Sequence, residues 1–171
     1  MVRCIIMSNQ LKKDSKWSFL EILKFETKCI KTEISKYSQE WFKDQTRQNT
    51  YLTHKDTQTI TLISSDYNWT PNQPLNKVIK NNLQTNDANK ELNKIYDYLS
   101  KFYEGEIVRA EIVKLKANTK IRKHVDGGTM LAYSRRCHVP IITNSLVYFT
   151  VNNNKINMQE SQCYEINNTM P

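Results

Sequence analysis

The chain has 171 residues, of which 39% are hydrophobic and 25% are charged, and its formal net charge at pH 7 is +8. This length fits one domain that buries its own core. No stretch approaches the roughly 18 consecutive apolar residues of a membrane span, and the N-terminal segment lacks the apolar core of a signal peptide. These properties exclude a membrane protein and predict a soluble, cytoplasmic one.

The positive charge invites a nucleic-acid-binding interpretation, which the distribution of basic residues does not favour. The excess is mostly lysine scattered along the chain, and the six arginines form no basic helix face or groove-binding motif. A solvated basic surface is therefore the favoured interpretation, with an acidic or nucleic-acid partner as the alternative.

The four cysteines, Cys4, Cys29, Cys137 and Cys163, are widely spaced and include no CxxC pair. This spacing indicates neither a zinc site nor a thioredoxin-like couple. We expect free thiols in a reducing compartment.

Two amphipathic helices are predicted in the first part of the chain. Apolar residues recur every three or four positions between about 27 and 42 and again between about 87 and 103. Asn86 or Asp87 is a suitable cap for the start of the second helix, and Gly105 is predicted to end it. Both helices are expected to pack on the core.

The remaining pattern is that of β-strands. Residues 59–63 predict a strand because they are rich in β-branched side chains, and 66–73 predict a loop. After Gly105 short strand-like runs follow one another, with Asn152-Asn153-Asn154 as the clearest hairpin turn. These runs are 107–116, 120–125, 135–143, 146–151, 155–158 and 162–166. Helices followed by a β-meander indicate an α+β domain whose core is a sandwich or small barrel.

The stretch KHVDGGTMLAYSRRCHVPI contains two of the three histidines of the chain. In an extended segment, His124 and Asp126 project to the same side, where one metal ion could reach both. A carboxylate combined with histidines, leaving open coordination positions, suits non-haem iron(II) oxygenases. The motif alone is weak, so a surface turn and a metal site remain equally good interpretations of these residues. Gly127-Gly128 would give the strand a flexible exit.

Arg136 and His138 also lie two positions apart and share a face of a predicted strand. An arginine that points into a buried interior needs an anion, because an unpaired buried guanidinium is very unfavourable. A carboxylate ligand would supply that anion and would bind Arg136 bidentately. The alternative is an ordinary ion pair on an edge strand.

Four segments together resemble one enzyme family. They are KIRKHVDGG, RRCHVPIIT, LVYFTVNNNKINMQESQCYEINNTMP and, before them, TRQNTYLTHKDTQTITLI. From about Trp41 to the end, the chain is similar to the aspartyl/asparaginyl β-hydroxylases, which are iron(II)- and 2-oxoglutarate-dependent oxygenases. The resemblance implies an α+β fold with a double-stranded β-helix core of the jelly-roll or cupin type. Residues 1–171 would form a single domain, with 1–105 as a helical supporting part and 106–171 as a jelly-roll core that lacks its last strands.

The resemblance also implies roles for individual residues. His124 matches the first iron-binding histidine, and Asp126 stands where many relatives have the carboxylate ligand. Arg136 and His138 match a pair that contacts the carboxylate of the co-substrate or substrate. The implied activity is hydroxylation of an amino acid or a peptidyl side chain of the Asp, Asn or Pro type, with iron(II) and 2-oxoglutarate as cofactors. Its substrate would be a small molecule or a peptide that carries a carboxylate.

One departure from the family pattern bears on activity. In the family, the segment resembling CYEINNTMP leads into a second iron-binding histidine and an arginine for 2-oxoglutarate, and this sequence stops at Pro171. We therefore expect impaired activity, with a non-catalytic jelly-roll binding module as the alternative function. His54 could replace the missing ligand, although a structural role is favoured for it. The oligomeric state is left open.

Overall fold

The computed structural model describes residues 1–8, 17–65, 69, 73–125 and 129–167. Within them the strands are β1 (Val2–Ser8), β2 (Phe19–Lys24), β3 (Thr57–Ser65), β4 (Lys77–Ile79), β5 (Gly105–Leu115), β6 (Ser134–Val139), β7 (Phe149–Val151), β8 (Asn154–Ile156) and β9 (Gln162–Ile166). The α-helices are α1 (Lys28–Ile34), α2 (Thr46–Thr50), α3 (Asn86–Phe102) and α4 (Thr129–Ala132). Two 3-10 helices span Glu40–Phe42 and Leu52–His54. No helix in this part of the chain is long and apolar enough to cross a membrane.

Seven strands form one antiparallel sheet in the order β2-β9-β6-β1-β5-β3-β4, and β7 pairs with β8 in a separate hairpin. The N-terminal strand β1 lies in the middle, between β5 and β6. Its partners are distant in sequence, so the centre of the sheet forms only by long-range pairing. A large antiparallel sheet with few helices confirms the α+β prediction in its general form.

The two faces of this sheet differ chemically because side chains alternate along each strand. In β1, Val2, Cys4 and Ile6 point to the side that packs against α1 and α3, which we call the helix face. Arg3 and Ile5 point to the opposite side, which we call the charged face. The alternation in a single strand thus separates the apolar core from a polar surface.

Helix α3 covers the helix face with one apolar stripe, formed by Ala88, Leu92, Ile95 and Leu99. All four side chains are buried, and burying a large aliphatic side chain stabilises the fold by about 1.5–3 kcal/mol. The helix begins after Thr85, whose hydroxyl accepts a hydrogen bond from the Ala88 amide at 3.4 Å. The predicted helix is confirmed, whereas the predicted caps at positions 86 and 87 are wrong by one or two residues.

Several predicted strands are confirmed. The structure has β3 over the predicted 59–63, β5 over all but the last residue of the predicted 107–116, and β9 over 162–166. The hairpin turn between β7 and β8 is also where it was predicted. Asn152 and Asn153 adopt positive φ angles of 46° and 67° there, a conformation that asparagine tolerates better than most residues.

The predicted helix over 27–42 is too long. Helix α1 ends at Ile34, and only Glu40–Phe42 returns to a helical conformation, as a 3-10 turn. Beyond α1, the Ser35 hydroxyl donates to the Lys31 carbonyl oxygen at 2.7 Å, and the Ser38 amide donates to the Glu40 carboxylate at 3.1 Å. These side-chain hydrogen bonds compete with a continuous helix, which the apolar period alone does not reveal.

Two further predictions are wrong. Residues 120–125 form no strand: the His124 ring bonds the Arg122 carbonyl oxygen, a group that a sheet ladder would use. Gly105 does not end α3. The helix ends at Phe102, Glu104 adopts a positive φ of 47°, and Gly105 is the first residue of β5. A Cβ at Gly105 would collide with the Met7 carbonyl oxygen, so this position needs glycine for close strand approach. Most of the predicted loop 66–73 lies outside the described residues.

Candidate functional site

The charged face brings together side chains from three adjacent strands. Arg136 and His138 both lie on β6, and Arg3 of β1 is the register partner of His138. On the other side of β1, Arg3 is the register partner of Glu111 on β5, and Arg109 lies two positions before Glu111. Residues paired across antiparallel strands project to the same face. The predicted pair at 136 and 138 therefore belongs to a larger cluster.

Glu111 is the acidic centre of this cluster. Its carboxylate is only 3% exposed and accepts hydrogen bonds from Arg3 and, at 2.9 Å, from Arg47. Arg47 comes from α2, which the interaction holds against the sheet. Removing one partner of such a buried group leaves an uncompensated charge and costs about 3–5 kcal/mol.

His54 extends the network above the sheet. The Arg47 guanidinium donates to His54 Nε2 at 2.9 Å, and because arginine cannot accept, Nε2 must carry the lone pair. Burial, together with the positive charges of Arg47 and Arg3, lowers the pKa of His54 to about 3. The ring is therefore neutral, and its Nε2 lone pair is already used by Arg47. This geometry favours the structural role for His54 over metal binding.

His124, the predicted metal ligand, lies beside His54. The two rings meet edge to face with 5.7 Å between their centroids. Nδ1 of His124 donates to the Arg122 carbonyl oxygen at 2.7 Å, which fixes the ring and leaves the lone pair on Nε2. A histidine held through one nitrogen in this way is suited to bind a metal through the other.

The second predicted ligand, Asp126, lies outside the described residues, as do Gly127 and Gly128. Among the residues that the structure describes, no three His, Cys, Asp or Glu side chains form a group that could hold a metal ion. The pairing of His124 with Asp126 on iron therefore stays a prediction.

His138 is 5% exposed, and neither of its ring nitrogens has a hydrogen-bond partner within the described residues. Burial, with the charges of Arg136 and Arg3, lowers the pKa of His138 well below its usual value, so the ring is neutral. The ring edge contacts Phe149 of the β7–β8 hairpin, with centroids 5.6 Å apart. Buried polar atoms are nearly always satisfied, so a buried imidazole whose two ring nitrogens have no partner within the described residues is an exception.

Arg136 lies next to this open imidazole. Burial, together with the charges of Arg47 and Arg109, lowers the pKa of Arg136 to about 10, so the guanidinium is still protonated at neutral pH. Arg3, Arg47, Arg109 and Arg136 gather on this face, where Arg3 and Arg47 both pair with Glu111. Arginine is the side chain best suited to bind a carboxylate through two parallel hydrogen bonds.

Two apolar clusters flank the charges on the same face. One contains Ile5, Val108 and Met130, and the other contains Tyr164 and Ile166 together with Val151 and Met158 from the hairpin region. Phe149, which packs against the second cluster, also contacts the His138 ring. Electrostatic interactions are stronger where water is excluded.

Arg3, Arg47, Arg109 and Glu111 were not predicted as members of the site. Arg109 and Glu111 did carry a signal, because they are charged residues inside a run of apolar residues that reads as a buried strand. Buried charges are rare unless they are paired. Their partners could not be identified from local pattern, since Arg3 and Glu111 are 108 positions apart.

Comparison with known proteins gives one match. The model of the family described as aspartyl/asparaginyl beta-hydroxylase matches residues 24–171. No curated protein and no solved structure matches this chain. The matched region includes the two helices that pack on the sheet, α1 and α3, and the strands from β3 to β9. It also includes all four predicted site residues. The chain belongs to the aspartyl/asparaginyl beta-hydroxylase family.

Proposed function

We propose that this protein is an iron(II)- and 2-oxoglutarate-dependent hydroxylase that acts on an amino acid or a peptidyl side chain of the Asp, Asn or Pro type. The observation that carries the proposal is that buried His138, whose ring nitrogens have no partner within the described residues, lies beside the protonated Arg136. His54, whose ring contacts His124, is joined to the same face through Arg47. Family membership supports a hydroxylase.

The residues present fit the proposed cofactors. His124, whose Nε2 carries the lone pair, would hold iron(II) together with Asp126. When bound, iron(II) with 2-oxoglutarate supplies the oxidative chemistry that hydroxylates an unactivated C–H bond. Arg136 and His138 would bind a carboxylate of 2-oxoglutarate or of the substrate.

The protein's own contribution would be positioning. Arg136 offers a planar pair of donors, and the neutral His138 can donate from one nitrogen and accept at the other. The Glu111–Arg47–His54 chain holds the His54 ring against His124. The apolar clusters would keep water away from the charged face. Precise orientation and water exclusion are the main means by which a protein assists chemistry that a cofactor carries out.

For the fold, we infer that the seven-stranded sheet is one wall of a double-stranded β-helix whose interior is the charged face. The β7–β8 hairpin supports this inference, because Phe149 packs over His138 from outside the sheet. In this arrangement the hairpin belongs to the opposing wall. The carboxylate site then lies between the two walls, where jelly-roll proteins place ligands.

The proposal is tested by measuring iron(II) binding under anaerobic conditions and conversion of 2-oxoglutarate to succinate. The proteins compared are this protein and its His124→Ala variant. Lys94→Ala, on the exposed side of α3, is the control. We expect iron binding and succinate formation that His124→Ala abolishes and Lys94→Ala preserves.

If the protein neither binds iron nor forms succinate, the proposed activity is wrong.

A non-catalytic carboxylate-binding module is the second candidate function. The Arg136–His138 region favours it, because these two residues could bind a carboxylate without a metal. Calorimetric titration of 2-oxoglutarate into metal-free protein distinguishes the candidates. Binding that is lost in Arg136→Gln, without succinate formation by any form of the protein, would favour the binding module.

A further inference from the structure

A second basic surface lies immediately outside the charged face. It is an open pocket of about 420 Å³ between the segment after the 3-10 helix Leu52–His54 and the segment that follows β5. Its lining residues are Leu52, Lys55, Asp56, Asn118, Thr119, Lys120 and Arg122. Three of these side chains are cationic and one is a carboxylate, so the pocket has a net positive charge.

We propose that this pocket binds an acidic side chain of a peptide substrate, close in the peptide to the residue that is hydroxylated. The inference rests on the proposed function and names the substrate class: an acidic polypeptide instead of a free amino acid.

The pocket is held in place by the backbone. The Lys116 amide donates to the Asp56 carbonyl oxygen at 3.0 Å, and Thr57 pairs with Leu115 where β3 meets β5. The Thr57 hydroxyl donates to the His54 carbonyl oxygen at 2.7 Å, and Thr119 Oγ1 donates to the Lys116 carbonyl oxygen at 2.7 Å. The two walls are therefore fixed relative to each other before any ligand arrives.

The cations of the pocket are available. Lys55, Lys120 and Arg122 are exposed, and none of them takes part in an ion pair within the described residues. Elsewhere in that part of the chain, Lys31, Lys77 and Lys90 do have acidic partners. Among the described residues that line the pocket, Asp56 alone offsets this charge. The arrangement suits an incoming carboxylate or phosphate.

The position of the pocket relates it to the candidate site. Lys55 directly follows His54, and Arg122 lies two residues before His124. Two residues of extended chain span at most about 7 Å. An extended peptide whose target residue lies at His124 would therefore place a side chain one or two positions away at Arg122.

The exposed character of the pocket argues for a peptide. A single small anion gains little from solvent-exposed lysine and arginine side chains. A peptide gains more, because its target residue binds at the charged face and raises the effective concentration of the acidic side chain at the pocket. The exposed Leu52, at 78%, offers an apolar contact for the stem of a glutamate or a neighbouring residue.

Binding of a fluorescein-labelled hexaglutamate peptide tests the inference, measured by fluorescence anisotropy at low ionic strength without iron or 2-oxoglutarate. The variant Lys120→Gln/Arg122→Gln removes two charges from the pocket. The control Lys94→Gln/Lys101→Gln removes two exposed charges from α3. We expect about tenfold weaker binding for the pocket variant and less than about a twofold change for the control. Thermal unfolding followed by circular dichroism verifies that both variants are folded.

The competing ligands separate a peptide from a small anion. Free glutamate and inorganic phosphate should displace the labelled peptide only at concentrations far above that of unlabelled hexaglutamate. Displacement at comparable concentrations would show a small-anion pocket and overturn the inference. Equal weakening by the two double variants would show a nonspecific basic surface and would also overturn it, as would an absence of binding.

The outcome is independent of the succinate assay. If peptide binding depends on Lys120 and Arg122 but no form of the protein forms succinate, the proposed hydroxylase activity is wrong. The proposed peptide-binding pocket would then still stand. Succinate formation without such binding would preserve the hydroxylase and reject the pocket.

Discussion

The two faces of the central sheet are built from the same strands and yet have opposite chemistry. The helix face is an apolar core in which α1 and α3 cover Val2, Cys4 and Ile6 of β1. The charged face carries arginines and histidines together with the buried carboxylate of Glu111. The helix face has the properties expected of a surface that holds the protein together. The charged face keeps polar groups away from water at a cost in stability, which is typical of a surface that binds something.

The largest expected effect on stability comes from the acid of the charged face. Glu111→Gln removes the negative charge between Arg3 and Arg47, which then repel each other in a buried setting. We expect the free energy of unfolding to fall by about 3–5 kcal/mol, measured by urea denaturation. If Glu111→Gln has no effect, the charged face does not depend on this ion network.

Glu106→Gln is the matched control for that prediction. Glu106 lies on the same strand, β5, and its ion pair with Lys77 is exposed. An exposed pair is worth about 0–1 kcal/mol. Equal losses for the two glutamine variants would mean that burial does not distinguish the two glutamates.

A substitution on the helix face should affect stability alone. Ile95 of α3 is fully buried against the sheet, and Ile95→Ala should lower the free energy of unfolding by about 2–5 kcal/mol through lost contacts and a cavity. Under conditions where the variant is folded, binding of 2-oxoglutarate should be unchanged. A change in that affinity would show that the two faces are energetically coupled, so that the helix face would not serve stability alone.

The same contrast explains which parts of the molecule could be predicted from the sequence. Local patterns sufficed for α3, β5 and β9, because each has a clear apolar period or β-branched composition within one segment. They also placed Arg136 and His138 on one face of a strand.

The central strand β1 was not predicted. Its sequence VRCIIMS is almost continuously apolar and shows weak alternation, since both faces of a central strand are covered. Its role depends on pairing with β5 and β6, which local pattern cannot reveal. Residues 120–125 gave the opposite error: they were predicted as a strand, but no strand within the described residues pairs with them. The cluster around Glu111 was missed for the same reason, because it depends on strand order.

The pH dependence of stability should report the buried histidine of the charged face. The pKa of His138 is lower in the folded protein than in the unfolded chain, so the unfolded chain binds the proton first as the pH falls below about 6.5. Stability should therefore be fully present above that pH and decrease below it, by at most about 1.4 kcal/mol per pH unit for each such histidine.

Urea denaturation between neutral and mildly acidic pH measures this slope. The stability of His138→Phe should depend less steeply on pH than that of the unmodified protein. The dependence that remains reflects His54, whose pKa is about 3, and the Met1 amino group, whose pKa burial lowers to about 5. An unchanged slope would mean that His138 is not buried in its neutral form.

The smallest expected effect on stability, at neutral pH, is the sharpest test of the comparison between the faces. His138→Phe replaces a neutral ring that has two unpartnered nitrogens with an apolar ring of similar shape. Because no hydrogen bond within the described residues is lost, the free energy of unfolding should stay the same or rise by about 1 kcal/mol. The same variant should lose most of its affinity for 2-oxoglutarate, since a phenyl ring can neither donate nor accept. His138 would then be kept for binding at the expense of stability. A variant that is clearly destabilised, with unchanged affinity for 2-oxoglutarate, would instead give His138 a packing role.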